Sequence, residues 1–304
     1  MKAAIKLTFI FLLSTYANAS LSDSKKCIIE FATENFESAI NHCEIAANKN
    51  NEIAKNNLGE MYLNGYGVEQ NYAEAFRWFK NSAEQGNKKA QKNLGMMFLK
   101  GKSVNKSYAK AAYWFKRSAK QGDKEAQYLL GVMYDNGNGV EKNYSEAARW
   151  FKNSARQGYP LAQYSLGLKY INGTGVEQSY TEAFRLFKSS AEQGDAFAQF
   201  NLGVMYLNGQ VAEKSYSEAI RWLTSSARQG NEKAQNNLGV MYMNGLGVSR
   251  NLVEAHMWFN IAASAGDKKA KKRRFEVTEK MSKRQIENAQ SAARRCVLSY
   301  YEDC

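Results

Sequence analysis

Residues 236–248 read NNLGVMYMNGLGV, and residues 56–68 already read NNLGEMYLNGYGV, with four looser copies between them. The glycine of the Leu-Gly pair falls at Gly59, Gly95, Gly131, Gly167, Gly203 and Gly239, always 36 residues apart. A second landmark, the glycine closing AEQG, AKQG, ARQG or SAG, falls at Gly86, Gly122, Gly158, Gly194, Gly230 and Gly266 with the same step. Two landmarks in phase over six copies define an internal repeat, of a length that suits stacked helical hairpins.

Each copy predicts two helices. In the last one Ala234, Leu238, Met241 and Tyr242 recur at helical spacing from about Asn231 to Asn244. Asn244-Gly245 then ends the helix, since both residues accept a left-handed backbone. The second helix starts near Tyr216 or its equivalents and places Ala147, Trp150, Phe151 and Ala155 of the third copy on one stripe. Gln-Gly closes it, and an Asn or Asp usually follows as N-cap of the next copy. Pro160, the only proline, sits in a first helical turn, where a missing N–H does little harm. A mid-helix glycine such as Gly203 costs about 1 kcal/mol relative to alanine. Close helix approach is the expected compensation, with Ala219 and Ala227 as the facing small residues. Trp78, Trp114, Trp150, Trp222 and Trp258 are expected to fill the larger gaps between copies.

The pattern A-x-x-x-L-G-x-M-Y-x-x-G-x-G-V, followed by Y-x-E-A-x-x-W-F-x-x-S-A-x-Q-G, resembles the Sel-one-like repeat (SLR) family, relatives of the tetratricopeptide repeat. It recurs over about residues 52–267. The resemblance implies an all-α, right-handed α-solenoid of stacked helix-turn-helix repeats whose first helices line a concave, protein-binding groove. The six repeats are expected at 52–87, 88–123, 124–159, 160–195, 196–231 and 232–267. A degenerate capping helix pair is expected at 20–51 and basic capping helices at 268–304. Ser103, Val211 and Ala212 depart from the pattern in loops, Leu186 replaces a Trp, and Lys169 replaces a core Met.

The chain opens MKAAIKLTFIFLLSTYANAS. A positive start, a short apolar run and Ala17-Asn18-Ala19 read as a signal peptide, residues 1–19, cleaved after Ala19. No other stretch is apolar enough for a stable membrane span. Cys27, Cys43, Cys296 and Cys304 are the only cysteines and sit at the two ends. In an exported chain they suggest two local disulfides, Cys27–Cys43 and Cys296–Cys304. With no CxxC and neither His42 nor His256 near a ligand set, no metal is expected. The formal charge of +13 becomes +11 without Lys2 and Lys6. Residues 266–295 hold eleven Lys or Arg against four acids, a net of +7. Such a run can meet an anionic surface, although export argues against nucleic acid.

The catalytic inventory is thin: two His, and no HExxH, GxSxG or P-loop lysine motif. Glu74, Glu146, Glu182, Glu218 and Glu254 recur one helix pair apart, too far for the carboxylate separations of about 5–9.5 Å that glycoside hydrolysis uses. They suit first-turn stabilisation of a helix N-terminus instead. Some cysteine-rich SLR relatives are associated with β-lactams, but no serine β-lactamase motif stands here. The expectation is therefore a non-enzymatic scaffold without cofactor, binding another protein in the bacterial envelope or, alternatively, in a host.

Positions free to differ between copies mark the binding surface. In the first helix the column Asn56, Lys92, Tyr128, Tyr164, Phe200 and Asn236 varies most, and Leu63, Leu99, Asp135, Ile171, Leu207 and Met243 lie seven residues on, on nearly the same face. The expected groove residues are Lys92, Tyr128, Asp135, Tyr164 and Phe200, the three aromatics forming a ladder.

Overall fold

The computed structural model describes residues 21–211, 213–301 and 304. The expected signal peptide, residues 1–19, lies outside the described residues. Sixteen α-helices and no strand are found among the described residues. They divide into two compact units, one ending at Asn143 and one running Tyr144–Cys304. The first unit contains α1 (Asp23–Ala32), α2 (Phe36–Asn48), α3 (Glu52–Asn64), α4 (Tyr72–Glu84), α5 (Lys88–Lys100), α6 (Tyr108–Lys120) and α7 (Lys124–Asn136). The second contains α8 (Tyr144–Arg156), α9 (Pro160–Asn172), α10 (Tyr180–Glu192), α11 (Ala196–Asn208), α12 (Tyr216–Ala227), α13 (Glu232–Asn244), α14 (Leu252–Ser264), α15 (Lys268–Thr278) and α16 (Lys283–Leu298). Within each unit, consecutive helices pack as antiparallel hairpins stacked side by side.

Local chemistry sets the helix ends. Asn51, Asn87, Asp123, Asp195, Asn231 and Asp267 each accept a bond from a backbone N–H of the first turn that follows. Tyr159 makes no such bond, and Pro160 at the first helical position has no N–H to satisfy. Gly65, Gly101, Gly137, Gly173, Gly209 and Gly245 end the first helices with φ between 65° and 75°. Ser103 and Val211 also hold positive φ, 59° and 75°, where other copies place a glycine. The substitutions expected to alter those loops thus leave the left-handed turn in place.

The mid-helix glycines correct one sequence expectation. The side chains that face them are not small. A Cβ added to Gly59 or Gly239 would sit 2.5 Å from the ring of Phe79 or Phe259, and one on Gly95 or Gly167 would sit 2.6 Å from Phe115 or Phe187. In each of these four hairpins an aromatic ring from the second helix therefore lies on the bare backbone of the first. These four rings are fully buried. At Gly203 the partner is Leu223, 2.8 Å from an added Cβ, while Ala219 contributes only its carbonyl oxygen at 3.3 Å. Small residues do share the close approach through their backbone, as the Ala111 carbonyl oxygen does at 3.3 Å from a Cβ on Gly95, but the side chains that fill it are larger.

A polar ladder ties helices together beside this contact. Ser82, Ser118, Ser190 and Ser226 hydroxyls donate to the carbonyls of Glu52, Lys88, Pro160 and Ala196 at 2.6–2.9 Å. Buried Gln91, Gln199 and Gln235 donate to Ala83, Ala191 and Ala227 carbonyls of the preceding hairpin, each at 3.1 Å. Gln121, Gln193 and Gln229 in turn donate to the oxygens of Gln91, Gln163 and Gln199. The pattern fails at Ala265, which stands where a glutamine would cover Gln235. Gln235 Oε1 is buried without a partner.

The ends are closed differently. Cys27 and Cys43, Cα atoms 4.7 Å apart, are buried with Ala39, Ala46 and Leu58 under α1 and α2. Glu30 receives His42 Nδ1 at 2.8 Å across the same pair. Cys296 and Cys304 approach with Cα atoms 5.0 Å apart. There α16 sets Ala293 and Cys296 onto Leu238, Met241 and Trp258.

Two outcomes follow. Gly239→Ala gains about 1 kcal/mol of helix propensity but overpacks against Phe259 by about 1–3 kcal/mol. Thermal unfolding should show it less stable than wild type, and Gly203→Ala, against the more yielding Leu223, nearer neutral; a stabilised Gly239→Ala would contradict the ring contact. Ala265→Gln should supply the missing donor to Gln235 and stabilise by about 1 kcal/mol. An unchanged denaturation midpoint would show that the orphaned oxygen carries no penalty.

Candidate interaction groove

Among the described residues no group of three or more His, Cys, Asp or Glu could hold a metal ion. No described helix is long and apolar enough to cross a membrane. Four of the five recurring glutamates are ion-paired: Glu74, Glu146, Glu182 and Glu218 hold Arg77, Arg149, Arg185 and Arg221 one turn on, at 2.6, 2.7, 2.8 and 3.3 Å. Three of those arginines lie over neighbouring tryptophans, Arg77 at 4.3 Å from Trp78, Arg149 at 4.6 Å from Trp150 and Arg221 at 4.7 Å from Trp222. A carboxylate locked this way is a brace for the second helix, which adds a partner to the helix-terminus role read from sequence.

The first-helix face of the second unit is where expected groove residues meet. Tyr164 projects from α9, and its ring centroid lies 5.9 Å from Phe187 of α10 and 5.9 Å from Phe197 of α11. Tyr164, Leu168, Phe197, Phe200 and Asn201 line one cavity of about 590 Å³, closed on its far side by Gln229, Glu232 and Lys233 of the next hairpin. A second cavity of about 460 Å³ shares Phe200 and Lys233 and continues to Asn236, Asp267 and Lys268. Tyr164 and Phe200 are half-buried, so part of each ring supports the stack and part faces the cavity. Burial pushes the Tyr164 phenol upward, helped by the charge of Asp195. Asp195 is itself raised by burial, against the N–H groups of Ala198 and Phe197 that favour its charge. Tyr164 therefore stays a neutral phenol, able to donate or accept.

The remaining expected residues lie in the first unit. Lys92 of α5 is mostly covered and pairs with Glu125 of α7 at 2.5 Å. Its charge is spent inside the stack. Tyr128 and Asp135 stand seven residues apart on α7, both half-buried. The ends of the same column serve packing: Asn56 donates to Glu60 at 2.9 Å, and Asn236 accepts from Arg273 at 2.8 Å. Sequence reasoning missed Phe197, an aromatic with 60% of its surface exposed. It sits three residues before Phe200, on the same helix face. Its column, Ile53, Lys89, Glu125, Leu161, Phe197 and Lys233, varies as much as the chosen one.

The Sel1 repeat profile matches residues 53–87, 88–123, 124–159, 160–195, 196–231 and 232–267. A Sel1 repeat protein from Oxalobacter formigenes is similar in structure with TM-score 0.72 and 31% identity, over 80% of this chain and 97% of that one. A protective antigen present in uropathogenic Escherichia coli strains, displaying an SLR fold, is similar with TM-score 0.53 and 24% identity, over 92% of this chain and 86% of that one. No curated protein matches. Sel1 repeat proteins are generally protein-interaction scaffolds. With six matched repeats built as stacked helical hairpins, this chain belongs to the Sel1 repeat family.

Proposed function

We propose that this chain is a non-enzymatic scaffold, exported to the bacterial envelope, that holds a partner protein on the first-helix face of its second unit. The observation that carries the reading is the aromatic cavity: Tyr164, Phe197 and Phe200 around about 590 Å³, with Phe197 60% exposed. Exposed aromatics beside a concave surface are favoured anchors for a protein partner. Lys233 and Glu232 at its edge give polar contacts to fix register. The first unit's Tyr128 and Asp135 are proposed by themselves as a second patch for partner contact, with Lys92 as a supporting residue. The test is Phe197→Ser with Phe200→Ala, compared with wild type by crosslinked pull-down from the native envelope and by circular dichroism. Unchanged helicity with a lost partner band supports the groove, and an undiminished band would place the contact elsewhere. Release of this chain into the medium or its retention in the periplasm, read by fractionation of the native cell, separates a host-directed factor from an envelope adaptor.

Export is proposed from the expected signal peptide and from the two cysteine pairs brought together at the ends. Non-reducing peptide mapping of the native protein should recover Cys27 with Cys43 and Cys296 with Cys304. Reduction should then destabilise the N-terminal cap by about 3 kcal/mol, and the shorter C-terminal loop by less. Free thiols at all four positions in protein from the native source would contradict the proposal.

A further inference from the structure

In the fourth repeat α10 carries Leu186 at the position where other copies carry tryptophan. The next copy shows what that tryptophan does. Trp222, 7% exposed, belongs to one buried cluster with Ala191 and Leu202, and Tyr206 packs against that cluster. Its indole N–H donates to Glu218 Oε2 at 3.0 Å, and Arg221 lies over the ring at 4.7 Å. Leu186 is too short to cover the equivalent ground. A cleft of about 390 Å³ opens there over Ala155, Gln163, Leu166 and Tyr170. Three of these, Ala155, Leu166 and Tyr170, stand 36 residues before Ala191, Leu202 and Tyr206 of the Trp222 cluster.

Glu182 and Arg185 remain on the wall of this cleft, paired at 2.8 Å, without an indole to hold. The opposite wall brings Lys152 and Arg156, one helical turn apart on α8. Both are exposed. The pair also occurs one copy earlier, as Lys116 and Lys120, and is broken one copy later, at Lys188 and Glu192; Lys152 and Arg156 are the pair that precedes the copy without tryptophan. A cleft that stands where other copies place an indole, lined by a carboxylate, a guanidinium and two further cations, has a definite chemical complement.

We propose that this cleft binds a flat aromatic ring bearing a carboxylate. The ring takes the volume that the absent indole leaves, Arg185 lies on its face, and a ring N–H is given to Glu182 Oε. The carboxylate is held by Lys152 and Arg156 through charge-assisted hydrogen bonds. A free aromatic acid and a peptide ending in tryptophan share this chemistry.

The test titrates the full chain with 3-indolepropionate, indole and the tripeptide Ala-Ala-Trp, followed by NMR shifts of the Gln163 side-chain amide. Saturable binding of 3-indolepropionate, stronger than that of indole, is expected. Lys152→Glu with Arg156→Glu, at exposed positions, should weaken the acid by about tenfold or more while leaving indole unchanged. Leu186→Trp should fill the cleft and abolish binding of all three. Should that variant fail to fold, the charge-reversal variant alone decides. Tighter binding of the tripeptide assigns the site to chain ends, and tighter binding of 3-indolepropionate to a free acid. No saturable binding by wild type, or equal affinity for the acid after charge reversal, overturns the proposal.

Discussion

The contact of a flat ring with bare glycine backbone governs this molecule. Phe79 on Gly59, Phe115 on Gly95, Phe187 on Gly167 and Phe259 on Gly239 fix how closely two helices approach in each hairpin. Any Cβ at those glycines meets the ring far inside contact distance, so glycine's low helix propensity is accepted in exchange for tight packing. Once that distance is set, the serine and glutamine bonds fall into register along each unit. The same bond recurs 36 residues on because the same spacing recurs. The exceptions are local and readable: Leu223 softens one hairpin, and Ala265 leaves Gln235 short of a partner where the repeats end.

A frame fixed by a few positions leaves the others free. Tyr164, Phe197 and Phe200 vary between copies because the ring contact, the caps and the polar ladder do not use them. The replacement of tryptophan by Leu186 is tolerated for a related reason. That tryptophan covers the outside of a hairpin whose internal distance is already held by Phe187 on Gly167. Surface variation on a constant frame is how a repeat protein acquires binding sites without refolding, and the aromatic cavity and the Leu186 cleft are the two places in one unit where we propose it.

Much of this was legible in the sequence. The period gave the six repeated helix pairs, and the Asn, Asp and Gly positions gave their ends, because caps and left-handed turns are local chemistry. Pro160 was placed correctly for the same reason. What was not legible depends on which residue faces which across a hairpin. Ala219 and Ala227 were expected opposite Gly203; Ala219 does approach it, through its carbonyl oxygen, but the nearest side chain is Leu223, since periodicity names a face and not a partner. Lys92 was expected to face a ligand and instead pairs with Glu125, because a single column does not show its neighbour in the next copy. Phe197 was passed over although it lies one turn from Phe200. Examining both columns of the face would have found it.

The account rests on the ring contact, and proton chemical shifts read it directly. A glycine Hα lying under an aromatic ring is shielded by the ring current, whereas one against an aliphatic side chain is not. In the assigned spectrum of the full chain the Hα resonances of Gly59, Gly95, Gly167 and Gly239 should lie well upfield of those of Gly203. Five glycines with indistinguishable, ordinary Hα shifts would contradict the packing from which the rest of the structure has been derived.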